Sequence, residues 1–135
     1  MQWNGSLSVG VDLIDTQHQE LFRRIDSFYD AMKAGRGQDE VLEVLDFMLN
    51  YTVTHFTAEE GIQRKYNYPK YPAHKQLHTG FIADIQSMKN DIIKNGVTIA
   101  SGAMVGMALS NWLVTHINVE DKALGAYIRS VDAGK

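Results

Sequence analysis

The sequence predicts an all-α fold: an up-down-up-down four-helix bundle with an extended N-terminal arm. Three observations lead there. Apolar residues recur at alternating steps of three and four along separate stretches, the spacing that lines one face of a helix. The breaks between stretches hold Gly35 and Gly37, then Pro69 and Pro72, then Asn95-Gly96, residues that end helices or force turns. The breaks are short, so successive helices turn back on one another.

The first fifteen residues alternate weakly and contain Gly5 and Gly10, which reads as the arm. The first helix carries Leu21, Phe22, Ile25, Phe28, Tyr29 and Met32 on one stripe. The second carries Val41, Leu45, Met48, Thr52, His55 and Glu59. The third follows the prolines of "YNYPKYP" with His74, His78, Phe81, Ile85, Met88 and Ile92. The fourth runs through Val105, Leu109, Trp112 and His116. The whole of 1–135 fits one domain, with the arm at about 1–16 and the bundle at about 17–130. No internal repeat or low-complexity segment interrupts it.

Composition narrows the function. Apolar residues make up 44% and charged residues 21% of the chain, an ordinary globular balance. A net charge of −3 argues against nucleic acid as a partner. There is no cysteine, hence no disulfide, thiolate metal site or cysteine nucleophile, and a cytoplasmic location is expected. The start of the chain has no basic segment followed by a long apolar run, so no signal peptide is expected. From Val97 to Val119 no residue is charged, and Gly102 and Gly106 form a GxxxG, a pattern also found in membrane helices. Thr98, Ser101, Ser110, Asn111, Thr115, His116 and Asn118 interrupt it. A helix buried on most sides of a bundle is expected here, and no membrane span.

The five histidines all fall on apolar stripes. His18 precedes Leu21 and Phe22 by three and four residues. His55 continues the second stripe, His74 and His78 begin the third, and His116 ends the fourth. One inward histidine is usually an ordinary hydrogen-bonded core residue. Five together, with none left for the surface, point to a shared partner, because buried imidazoles without one carry a desolvation cost. Neutral imidazole is a good ligand for iron, zinc and copper. Five nitrogens exceed what tetrahedral zinc takes and suit two metals. Two close cations need bridging carboxylates, and Glu59, one turn after His55, is well placed; Glu60 reads as solvated surface. For the second bridge, Glu120 stands four residues after His116 and Asp121 five. Five residues turn a regular helix by about 500°, leaving Asp121 roughly 140° off the stripe. Only a widened turn, such as a π-bulge, brings it inward. Spacing alone leaves these two acids even.

The pattern resembles the hemerythrins, specifically the bacterial hemerythrin-like proteins; myohemerythrin is a standard example of the same topology. The matching residues are His18 in "DTQHQEL", His55 and Glu59 in "HFTAEE", His74 and His78 in "HKQLH", and His116 and Asp121 in "HINVED". The likeness runs along essentially the whole chain, arm included. It implies Asp121 as the second bridge. It implies two iron ions, one held by His74, His78 and His116 and the other by His18 and His55. Glu59, Asp121 and a solvent-derived oxo or hydroxo group would bridge them. The two-histidine iron would keep an open position for O2. Leu21, Ile25, Phe56, Trp112, Leu113 and Ile117 would form a dry pocket around it. In one departure, Gln63 stands where the family usually has methionine, four residues after Glu59. It lies on the ridge of His55 and Glu59 and can reach the ligand shell, while Ile62 competes for the same inward position.

The expected function is reversible O2 binding for storage, delivery or sensing, with O2 and small anions as ligands. Five neutral nitrogens and two carboxylates donate less to iron than carboxylate-rich di-iron sites, and the Glu-x-x-His pairs of those sites are absent. The chain is read as a binding protein and not an enzyme. It is expected to act as a stand-alone monomer. The alternatives are a di-iron peroxidase or oxidase and an O2- or redox-sensing domain of a signalling protein. A zinc hydrolase fits poorly, since no HExxH occurs.

Overall fold

The computed structural model describes residues 3–134. The long helices are α1 (Asp12–Lys33), α2 (Gln38–Lys65), α3 (Tyr71–Asn95), α4 (Ile99–His116) and α5 (Lys122–Ala133). Between α4 and α5 lies a π-helical turn, Ile117–Asp121, so the three run on as the fourth helix of a bundle. No strand occurs among the described residues. Helix α1 packs on α2 and α4, and α2 packs on α3.

Sequence chemistry sets the ends of these helices. Gly96, at φ 77°, closes α3 in the left-handed region open to glycine. Thr98 caps α4 in a reciprocal box with Ser101. Pro72 sits in the first turn of α3, where its missing N–H is no loss.

The arm is shorter than the sequence suggests. It includes one 3-10 turn, Gly5–Leu7, and gives way to α1 at Asp12 rather than near residue 16. The reason is Asp15. Its carboxylate accepts from the Val9 N–H at 2.8 Å and from the Ser8 hydroxyl at 2.6 Å. That pins the arm to the first turn of α1, where a carboxylate also suits the helix dipole. The same end of the arm also lies on α5. A Cβ on Gly125 would come within 2.0 Å of the Val9 carbonyl oxygen, and the Arg129 guanidinium donates to that same oxygen.

The GxxxG of α4 is a packing device. A Cβ at Gly106 would strike the Tyr29 ring at 2.5 Å, and one at Gly102 the tip of Met32 at 2.2 Å. Both are side chains of α1, so the two glycines seat one helix against the other. No helix among the described residues is long and apolar enough to cross a membrane. Phe22, Ile25, Phe28, Leu45, Met48, Ile85 and Leu109 fill the apolar part of the core. Beyond them the same inward faces turn polar.

Candidate metal centre

Helices α1 to α4 bring polar residues to one place by continuing their apolar ridges, and the π turn adds one more. His18 comes from α1, His55 and Glu59 from α2, His74 and His78 from α3, His116 from the last residue of α4, and Asp121 from the end of the π turn. All seven are buried, and the most exposed, His116, keeps only 4% of its surface. They fall into two groups that share both carboxylates: Glu59, His74, His78, His116 and Asp121, and His18, His55, Glu59 and Asp121. Within each group the candidate ligand atoms lie within 4.8 Å of one another.

The carboxylates divide their oxygens between the groups. Glu59 Oε1 lies 2.9 Å from His74 Nε2 and 3.3 Å from His78 Nε2, while Oε2 lies 3.4 Å from His55 Nε2. Asp121 Oδ1 lies 3.1 Å from His74 Nε2 and 3.2 Å from His116 Nε2, while Oδ2 lies 3.0 Å from His18 Nε2. The Nε2 of His116 is 3.0 Å from that of His74 and 3.1 Å from that of His78.

This donor set fits a pair of cations. Three imidazole nitrogens converge on one point, where hydrogen bonds could satisfy only some of them. His18 Nε2, His55 Nε2 and all four carboxylate oxygens meet no well-directed hydrogen bond among the described residues. Buried polar atoms in such number call for a partner, and nitrogen and oxygen donors suit first-row metals.

Two histidines are held from behind. His55 Nδ1 is 2.7 Å from Gln17 Oε1, and His78 Nδ1 is 2.8 Å from Glu60 Oε2. A ring N–H donated outward leaves the Nε2 lone pair facing in. Glu60 is therefore not the solvated surface residue that its sequence neighbourhood suggests. Its ridge points away from the stripe, but α3 lies on that side. Gln17 carried no signal in the sequence, because its partner comes from α2. Tyr68 is a further buried neighbour, with its ring 6.5 Å from that of His74.

Protonation follows from the crowding. Burial and the nearby Asp121 push Glu59 up, but the imidazoles of His55, His74 and His78 beside its oxygens prevail and hold it at about 2. Asp121 is likewise raised by burial, yet the imidazoles of His116, His18 and His74 beside it place it well below the usual carboxylate range. Burial lowers His74, but Asp121 and Glu59 raise it to about 9. For His55 burial wins over Glu59, and the imidazole is held low.

The wide turn that the five-residue spacing requires is present. The Lys122 N–H bonds back to the Ile117 carbonyl, five residues away. Asp121 thus turns inward, 1% exposed. Glu120 turns outward and lines a cleft of about 170 Å³ with Leu77, Trp112, Thr115, His116 and Val119.

Of the expected pocket residues, Leu21, Ile25, Phe56, Leu113 and Ile117 are buried, and Trp112 is half-buried. Phe56 lies flat on His78, with ring centroids 3.7 Å apart, and Trp112 lies on His116 at 4.4 Å. Both stack on the three-histidine group. Gln63 takes the inward position with no exposure, while Ile62 is half-buried.

Fold and site define a four-helix-bundle protein with a histidine- and carboxylate-lined cation site. The Hemerythrin HHE cation binding domain family matches residues 9–128, and the chain belongs to the hemerythrin family. It is similar to the bacteriohemerythrin of Stenotrophomonas maltophilia (strain R551-3), 29% identical over 95% of this chain and 81% of that one. It is 30% identical to the myohemerythrin of Riftia pachyptila, over 85% of this chain and 82% of that one. A crystal structure of wild-type hemerythrin superposes with a TM-score of 0.81 at 26% identity, covering 93% of this chain and 95% of that one.

Proposed function

We propose that this protein binds O2 reversibly at a non-haem centre of two iron ions. His74, His78 and His116 would hold one ion, His18 and His55 the other, and Glu59 and Asp121 would serve both. The observation that carries this reading is the division of each shared carboxylate, one oxygen toward each group. Membership of the hemerythrin family supports iron as the metal and O2 binding, rather than catalysis, as the activity.

When bound, two ferrous ions supply the pair of electrons that O2 binding draws on. The chain does the rest by placement. Gln17 and Glu60 fix the tautomers of His55 and His78. Leu21, Ile25, Leu113 and Ile117 are buried and would wall the site with hydrocarbon, excluding water and slowing proton delivery. Such a wall would favour release of the ligand unchanged. We place the protein in the cytoplasm as a carrier, store or sensor, a reading supported by its lack of cysteine.

Iron analysis combined with absorption spectra tests the proposal. Two irons per chain are expected, with a visible band that appears on exposure to O2 and disappears under vacuum over repeated cycles. One zinc and no iron would overturn the metal assignment. Two irons that oxidise irreversibly at first exposure would favour an oxidase.

A further inference from the structure

Gln63 lies one turn beyond Glu59 on α2, completely buried. Neither its Nε2 nor its Oε1 meets a hydrogen-bond partner among the described residues. Its backbone carbonyl is engaged, accepting from the Tyr68 N–H at 2.9 Å, so the side-chain amide alone is unsatisfied. An apolar side chain of the same length would fill this position without the desolvation cost of an amide. Buried amides in folded proteins find partners, and here none is a described residue.

The place where the amide sits suggests the partner. His55, Glu59 and Gln63 follow one another at four-residue steps, so their side chains are neighbours on one helix face. Both Glu59 oxygens also lack a well-directed donor. An unsatisfied N–H donor thus stands one turn from unsatisfied carboxylate acceptors, in a compartment closed to bulk water.

Resting on the di-metal reading above, we propose that Gln63 is a positioning residue of the centre: its Nε2–H donates to Glu59 through one enclosed water. The bond keeps the two Glu59 oxygens divided between the metals. An enclosed water needs polar partners on more than one side, and Gln63 with Glu59 supplies them.

The experiment compares the parent chain with Gln63→Met and Gln63→Leu, each loaded with Co(II). The parent is expected to hold two cobalt ions per chain. Both variants should lose cobalt to a competing chelator at about tenfold lower chelator concentration and show displaced visible Co(II) bands. A purely structural role would leave the bands in place. Parental affinity and spectrum in both variants overturn the proposal and leave the metal centre standing. A parent that binds no cobalt pair overturns the di-metal reading and this proposal with it. If neither variant folds, a crystal structure of the cobalt-loaded parent decides. An ordered water within hydrogen-bond distance of Gln63 Nε2 and a Glu59 oxygen is expected, and an amide still alone there refutes it.

Discussion

His78 is gripped on two sides. Glu60 takes its Nδ1–H at 2.8 Å, and the Phe56 ring covers its face at 3.7 Å. A ring so held presents Nε2 in one direction only. Glu60→Ala is therefore expected to weaken metal retention against a chelator by about tenfold, while far-UV circular dichroism stays unchanged. Gln17→Ala should act on His55 in the same sense but more weakly, because its acceptor is neutral. Retention equal to the parent in both would show that packing alone orients the rings. Leu113 is 2% exposed and three residues before His116, and we propose it as part of the hydrocarbon wall. Truncation to alanine should cost about 2–5 kcal/mol of stability and admit water, so Leu113→Ala should autoxidise severalfold faster. An autoxidation rate like the parent's would make Leu113 ordinary core.

Between the arm and α5 the contact is backbone against backbone, and Gly125 makes it possible. Gly125→Ala sets a methyl against the Val9 carbonyl, which can give way only by lifting the arm. A loss of about 1–3 kcal/mol is expected in urea unfolding, whereas Gly37→Ala, with open space around it, should change little. The four helices were legible in the sequence because their apolar steps match the helical period, and six of the seven clustered polar residues were legible because they extend those steps. Asp121 was different. Its five-residue offset marked it as a question that spacing left open, the family likeness chose it over Glu120, and the π turn brings it into the cluster. Gln17, Glu60 and the early start of α1 were illegible for one shared reason. Each depends on a hydrogen bond to a residue outside its own stripe, and periodicity carries no record of such partners.

Across the whole molecule, the metal-free chain encloses two carboxylates and five imidazoles in one cluster. Glu59, lowered from 4.5 to about 2, stabilises the metal-free fold fully above pH 4.5 and loses that effect as pH falls toward 2. His74, raised from 6.5 to about 9, stabilises fully below pH 6.5 and loses its effect as pH rises through 9. His55, held below 6.5, adds a penalty as pH falls under that value. The metal-free protein should therefore be most stable near pH 6.5, and a melting temperature still rising at pH 9 would contradict this. Chelation at neutral pH is expected to lower the melting temperature by roughly 10–20 °C. The seven residues come from every long helix up to the π turn, and none is more than 4% exposed. The cleft of Glu120 reaches only His116 among the seven, so ions have no open path to the other six. A closed, empty chain should take up metal only as fast as its helices part, so loading runs on the clock of hydrogen exchange at the core amides. Filling the centre is then an act of maturation, and an ion once inside is kept by the slowness of the door as much as by the strength of its bonds.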